Sequence, residues 1–110
     1  MIYFYLKTDG EVWKIETEKK MDLEHLQDLA AGGGLIEFQR LGNITICMDE
    51  EGKLKNSDVN PFFAGYGFVG DLIIGFDVKT EDDTEFRGFD EFDATAIERA
   101  LHSGKLPQKI

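Results

Sequence analysis

The chain has 110 residues, 22 acidic and 12 basic, which gives a formal charge of −10 at pH 7. This length fits one domain, residues 1–110, and an apolar content of 42% excludes a disordered chain. The acidity argues against nucleic-acid binding, and the single Cys excludes a disulfide framework. Because the sequence has no long apolar run and no signal peptide, we expect a cytoplasmic protein with no membrane contact.

A β-hairpin and a short helix are the first predicted elements. Residues 2–7 and 11–16 are rich in β-formers and flank Asp9-Gly10, a strong hairpin signal. Strand 2–7 is apolar on both faces, which predicts a strand that is central or covered on both sides. Asp22 is predicted to cap the helix, which Gly32-Gly33-Gly34 ends. Its apolar stripe comprises Leu23, Leu26, Leu29 and Ala30.

A second hairpin and a glycine-rich strand follow. Residues 35–40 and 44–48 alternate in polarity around Leu41-Gly42-Asn43, which predicts a sheet with one buried side. Residues 68–77 form the next predicted strand, and a glycine inside a strand often marks a bulge or the close approach of another group. An acidic turn at 81–83 then leads into a returning strand at 85–89.

The last predicted element is a helix. Asp93 is expected to cap it, with Asp90 as the competing cap. Phe92 is expected to pack on Ile97 as a hydrophobic staple, and Gly104 to end the helix. The buried stripe comprises Ala94, Ile97 and Leu101. These elements predict an α+β fold, with a mainly antiparallel sheet of five or six strands and two helices packed on one face.

Side chains with catalytic or metal-binding chemistry form no recognisable motif. Cys47 lies among apolar residues, which favours a structural thiol over a nucleophile. His25 and His102 lack the spacing of a zinc site, and the acidic turns at 49–52 and 81–85 lack that of a calcium loop. We therefore expect no enzyme, no catalytic residue, no metal and no cofactor.

Gly65, Gly67 and Gly70 formally match the dinucleotide-binding pattern G-x-G-x-x-G. That motif follows a strand and opens a helix, whereas a strand-like segment follows these glycines, so we regard the match as accidental. The aromatic residues around them, including Tyr66, favour core packing, with a ligand surface as the alternative.

Negative charge is concentrated near the end of the chain. Residues 77–98 contain nine acids and two bases, a charge of −7 out of −10. One interpretation is an electrostatic surface that docks on a basic protein. The simpler interpretation, a charged face that keeps the domain soluble, is favoured by the residues alone.

Three segments in order resemble a domain-of-unknown-function family from phages and bacterial mobile elements. They are Gly33-Gly34-Leu35-Ile36-Glu37, then Asp49-Glu50-Glu51-Gly52-Lys53-Leu54-Lys55, then Asn60-Pro61 followed by Val69-Gly70-Asp71-Leu72-Ile73-Ile74-Gly75. The resemblance implies a small accessory protein that acts inside a bacterial cell, and it implies no catalytic residue. It also implies that certain positions matter for turns and sheet geometry, namely Gly34, Glu37, Asn60 and Gly70.

Together these observations predict a non-enzymatic binding protein. It would be an acidic inhibitor or regulator of a host or element-encoded protein, for example one that acts against a defence system. The expected contact residues are Glu81, Asp82, Asp83, Glu85, Asp90, Glu91 and Asp93. The alternative is a small-molecule binder, such as a protein that sequesters a nucleotide signal. Its expected residues are Gly34, Arg40, Lys53, Asn60, Tyr66 and Gly70. The aromatic excess leaves a homo-oligomer open.

Overall fold

A computed structural model describes residues 1–103, which form six strands, two α-helices and a short 3₁₀ helix. The strands are β1 (Ile2–Leu6), β2 (Val12–Glu16), β3 (Ile36–Leu41), β4 (Ile44–Asp49), β5 (Leu72–Lys79) and β6 (Thr84–Arg87). The α-helices are α1 (Leu23–Ala31) and α2 (Glu91–Ser103), and the 3₁₀ helix is Pro61–Tyr66. Neither α-helix, as far as the described chain extends, has the length and apolarity needed to cross a bilayer.

The strands form one antiparallel sheet in the order β2-β1-β5-β4-β3, with β6 paired to β5. This confirms the predicted α+β class and the predicted number of strands. All five residues of β1 are buried, because β2 and β5 flank this strand and both of its faces are covered. The apolar pattern of residues 2–7 therefore reflected a covered inner strand, as predicted.

The two helices lie on opposite faces of the sheet, so the prediction that both cover one face is wrong. Tyr3 and Tyr5 of β1 pack in one core with Leu26 and Ala30 of α1, on what we call the α1 face. The alternate residues of β1 pack in a second core with residues of α2, on the α2 face; they are Ile2, Phe4 and Leu6. Successive side chains of a strand point to opposite faces, so a strand apolar at every position needs a cover on each side.

The helix ends show which of the predicted caps operate. Asp22 caps α1, since its Oδ1 accepts the His25 N–H at 2.8 Å, and Gly32 ends α1 with φ +58°. Asp90, the competing cap, starts α2 by accepting the Asp93 N–H at 2.8 Å, so the prediction of Asp93 is wrong. The earlier start places Phe92 on the solvent side, where it is 84% exposed and forms no staple. Gly104 lies outside the described residues.

The predicted apolar stripe of α1 is confirmed at Leu26 and Ala30, which are buried, but not at Leu23, which is 59% exposed. The stripe of α2 is confirmed at both ends. Ala94 and Leu101 are buried and Ile97 is packed against them.

The segment before β5 is held by Asn60, whose side chain is fully buried. Its amide donates to the carbonyl oxygens of Leu6 at 3.0 Å and Gly70 at 2.9 Å, and its Oδ1 accepts the Phe62 N–H at 3.0 Å. Asn60 thereby caps the 3₁₀ helix and ties it to β1. The element directly after the glycines at 65–70 is the strand β5 and not a helix, which agrees with the rejection of the dinucleotide motif.

Two glycines of the β5–β6 hairpin allow close packing, Gly75 of β5 against β6 and Gly88 after β6 against β1. A Cβ on Gly75 would collide with the carbonyl oxygen of Arg87 and lie 3.0 Å from the Phe86 ring. A Cβ on Gly88 would lie 2.7 Å from the backbone nitrogen of Ile2. The close approach of another group, which a glycine within a strand predicted, is thus found at Gly75, where β6 lies against β5.

Candidate functional site

The seven predicted contact acids form two clusters joined by β6, and all of them lie at the surface except the half-buried Glu85. Three lie in the turn between β5 and β6 and three at the start of α2, with the seventh between them: Glu81, Asp82 and Asp83; Asp90, Glu91 and Asp93; and Glu85. Six extended residues, 84–89, lie between Asp83 and Asp90, so seven steps of about 3.4 Å separate the clusters by at most about 24 Å. We call residues 81–93 the acidic segment.

Six carboxylates of the acidic segment, all except that of Glu85, carry charge that no cation of residues 1–103 offsets in an ion pair. Among residues 1–103, no Lys, Arg or His lies within 4 Å of these six, whereas Glu85 pairs with Lys20 at 3.5 Å. Asp90 has a structural role as the cap of α2, and the Oδ1 of Asp83 accepts the Thr84 N–H. The carboxylates of the remaining four accept no hydrogen bond from the described residues and are exposed, so solvent and partners can reach them.

An apolar groove of about 440 Å³ lies on the α1 face, beside the acidic segment. Its apolar lining comprises Met21, Leu23, Leu26, Phe38 and Phe86. The rings of Phe38 and Phe86 have centroids 5.1 Å apart, and Phe38 remains 43% exposed. Four charged residues of the lining form two ion pairs, Lys20 with Glu85 at 3.5 Å and Arg40 with Asp77 at 2.8 Å. The lining charges therefore cancel, and the groove fits an apolar side chain.

A smaller cavity, of about 250 Å³, lies beside β3 and β4 and the loops at 50–54 and 66–69. The rings of Tyr66 and Phe68 stack with centroids 5.6 Å apart. Its charged lining comprises Glu37, Asp49, Glu50 and Lys53. Asp49 is paired with Lys55 at 2.9 Å, which leaves the carboxylates of Glu37 and Glu50 and the ammonium of Lys53 among the described lining residues. With two unpaired carboxylates and one ammonium, the cavity favours a cation over a phosphate.

The six residues of the alternative ligand site do not come together. Lys53 and Tyr66 share the smaller cavity, but Arg40 points to the α1 face, where it binds Asp77. Asn60 is buried and fully hydrogen-bonded, so a ligand cannot reach it. Gly70 shapes a turn with φ +79°, and a Cβ on Gly34 would lie 3.2 Å from the carbonyl oxygen of Ala31.

Cys47 is buried between the sheet and α1, and burial raises the pKa of its thiol from 9.0 to about 12. Burial also raises the pKa of Tyr3 and of Tyr5. A thiol with so high a pKa stays protonated at neutral pH, which removes the thiolate that nucleophilic catalysis requires. The described residues also contain no group of three or more His, Cys, Asp or Glu side chains that could hold a metal ion.

These raised pKa values predict a loss of stability in alkali. The folded protein holds its Cys47 proton to a higher pH than the unfolded chain does. The contribution of this proton to the free energy of unfolding is therefore fully present below pH 9.0 and is lost as the pH rises towards about 12. For Cys47, each pH unit in that window costs about 1.4 kcal/mol. Urea unfolding at stepped pH measures the decline, and Cys47→Ala is expected to make it shallower. Equal slopes for both proteins would contradict this assignment.

The groove was not anticipated from the sequence, and of the cavity lining only Lys53 and Tyr66 were predicted as ligand residues. One signal was present in β3, where aromatic Phe38 and charged Arg40 share a face in a strand whose partners were unknown. Both sites depend on the sheet order, which joins segments distant in the chain.

No family model, curated protein or solved structure matches this chain. Its function therefore has to be inferred from its own residues and their arrangement.

Proposed function

We propose that this chain is a non-enzymatic binding protein whose acidic segment docks on a basic surface of a partner protein. The observation that supports the proposal is the set of six exposed carboxylates that lack a cation within 4 Å among residues 1–103. Uncompensated charges on a protein surface raise the rate of encounter with an oppositely charged partner and disfavour partners of like charge.

The spacing of the two acidic clusters adds a geometric requirement. A partner that contacts both has basic residues along a surface or groove of up to about 24 Å, the extended length of the chain between the clusters. A groove built to hold nucleic acid has this character. Exposed charges are screened beyond about 10 Å at 0.1 M salt, so the interaction is expected to weaken strongly as salt increases.

The resemblance to a phage and mobile-element family supplies the proposed setting. In that setting the chain is a regulator or inhibitor of a host or element-encoded protein in the bacterial cytoplasm, and a defence protein is the proposed class of target.

A charge-neutralised variant tests the proposal. Glu81→Gln, Asp82→Asn, Asp83→Asn and Glu91→Gln together change the net charge from −10 to −6, while the helix cap Asp90 and the paired Glu85 stay intact. We expect a basic protein from the host lysate to bind the wild-type chain at about 0.1 M salt and to bind this variant at least tenfold more weakly. Quantitative pull-down with mass spectrometry, followed by titration of the captured protein, measures the loss.

A matched control has the same net charge of −6 but leaves the acidic segment unchanged. It carries Glu11→Gln, Glu16→Gln, Glu18→Gln and Asp28→Asn, all at exposed positions outside residues 81–93. The control is expected to keep the partner. Equal capture by all three proteins would mean that the acidic segment serves solubility alone, and the proposal would be wrong.

The second candidate function is binding of a small molecule, and the cavity beside Tyr66 and Phe68 is the observation that favours it. Stacked rings suit a planar ligand, and the surrounding carboxylates suit a cationic one rather than a nucleotide. The same pull-down separates the two functions, because this candidate predicts a retained metabolite and no basic protein.

A further inference from the structure

The strand β3 forms one end of the sheet and has no neighbour on its outer side among residues 1–103. Its pairing with β4 starts at Leu41 and Ile44, across a two-residue turn, and the Glu50 N–H donates to the Leu35 carbonyl oxygen at 3.0 Å. Because hydrogen-bonded residues alternate in an antiparallel pair, the backbone groups of three residues point outward: Ile36, Phe38 and Arg40. No described residue hydrogen-bonds to them.

The two sites described above lie on either side of this strand. Phe38 and Arg40 line the apolar groove on the α1 face. Glu37 and Gln39, the residues that alternate with them, line the acidic cavity on the α2 face. An added strand would project its own side chains alternately to the same two faces. One set would meet apolar surface and the other set would meet carboxylates and stacked rings.

The opposite edge of the sheet, β2, also presents outward backbone groups, but it lacks the two flanking sites. The outward backbone groups of β2 belong to Val12, Lys14 and Glu16, because Lys7 N–H donates to the Glu11 carbonyl oxygen at 2.9 Å and fixes the alternation. Lysine on an edge strand discourages pairing with another strand. Neither the groove nor the cavity contacts β2.

We propose that β3 receives an extended segment of the partner protein as an additional strand, and that this segment alternates basic with apolar residues. The inference rests on the proposed function, since it names the binding mode for a basic partner. Main-chain hydrogen bonds from Ile36, Phe38 and Arg40 hold the segment, and pockets for alternate side chains select its sequence. Glu37 and Glu50 attract its lysine or arginine side chains, and Phe38 and Phe86 contact its apolar ones.

The probe is a synthetic seven-residue peptide in which lysine alternates with valine, compared with one in which glutamate replaces lysine. In a nuclear magnetic resonance titration of the full chain, the lysine peptide is expected to shift the amides of Ile36, Phe38 and Arg40 and to slow their hydrogen exchange. The glutamate peptide is expected to bind at least tenfold more weakly, because the cavity carboxylates repel it.

Proline substitution tests the edge itself. Arg40→Pro removes an outward N–H and is expected to weaken the lysine peptide at least tenfold relative to Arg40→Ala, which lacks the same side chain but keeps the N–H. Lys14→Pro, the matched change on β2, is expected to leave the affinity unchanged. Circular dichroism establishes that each variant is folded. Hydrogen exchange of the β3 amides in the wild-type protein provides a measurement that needs no variant.

Three results would overturn the inference. They are equal affinity of Arg40→Pro and Arg40→Ala, equal binding of the two peptides, and unchanged exchange at the three β3 amides with saturating lysine peptide. The proposed function is judged separately, by loss of the whole partner from the variant neutralised at residues 81–91, which keeps β3 intact.

Discussion

Gly75→Ala is expected to destabilise the fold by about 3 kcal/mol or more, because the added methyl group meets a backbone that cannot move independently. The Arg87 carbonyl oxygen and the Phe86 ring already occupy the space where the Cβ would lie. β5 is paired at this point with β4 through Thr45, so relief on one side strains the other. Domains of this size have about 5–15 kcal/mol of stability, so the variant has a greatly reduced urea midpoint.

Gly65→Ala is the matched control for Gly75→Ala. A Cβ at Gly65 meets nothing within 4 Å, and its φ lies outside the left-handed region. This variant is expected to stay within about 0.5 kcal/mol of wild type. Equal urea midpoints for Gly75→Ala and Gly65→Ala would show that the hairpin opens without cost, against the close packing described for β5 and β6.

Asn60→Leu is expected to cost about 3–5 kcal/mol, because a side chain of similar size replaces the amide and forms none of its three hydrogen bonds. The carbonyl oxygens of Leu6 and Gly70 and the N–H of Phe62 each lose the hydrogen bond that Asn60 provides. A buried polar group left without a partner costs about 1–3 kcal/mol. We also expect faster hydrogen exchange in the 3₁₀ helix at 61–66, which Asn60 ties to β1.

Asn43→Leu provides the comparison for Asn60→Leu, since Asn43 is exposed in the β3–β4 turn and makes no side-chain hydrogen bond within the described chain. It is expected to change the free energy of unfolding by about 0.5 kcal/mol or less. If calorimetry gave similar melting temperatures for both leucine variants, the buried amide would not hold the segment before β5.

The locally encoded parts of the fold were predictable from the residues. Asp9-Gly10 marks the first turn, and Asp22 and Gly32 bound α1, because turn and cap chemistry depends on a few neighbouring residues. The start of α2 was ambiguous, because Asp90 and Asp93 both precede apolar residues at helical spacing. A shift of three residues then moved Phe92 from the predicted core to the solvent.

The placement of the helices depended on combining two observations within β1. Tyr3 and Phe4 are neighbours, so their side chains point to opposite faces, and each needs a layer to cover it. A strand apolar on both faces is incompatible with two helices on one face unless other chain segments cover the second. Here α1 covers one face, while α2 and the 3₁₀ helix cover the other.

The candidate sites were predictable to different degrees. The acidic segment is contiguous in the chain, so composition alone located it, although its division into two clusters became visible with β6. The groove and the cavity combine β3 with segments more than 15 residues away, such as Tyr66 and Phe86. Such contacts arise from strand order, which local patterns do not encode.

The central position of β5 also dictates how the molecule assembles. The β1–β2 and β3–β4 hairpins join the same sheet through β5, which follows both of them in the chain. During synthesis, neither hairpin can acquire this shared neighbour until the ribosome has passed Lys79. The long loops that β5 closes make assembly slower than that of a helical bundle of equal length. Both halves of the sheet are then expected to fold and unfold together as one cooperative unit.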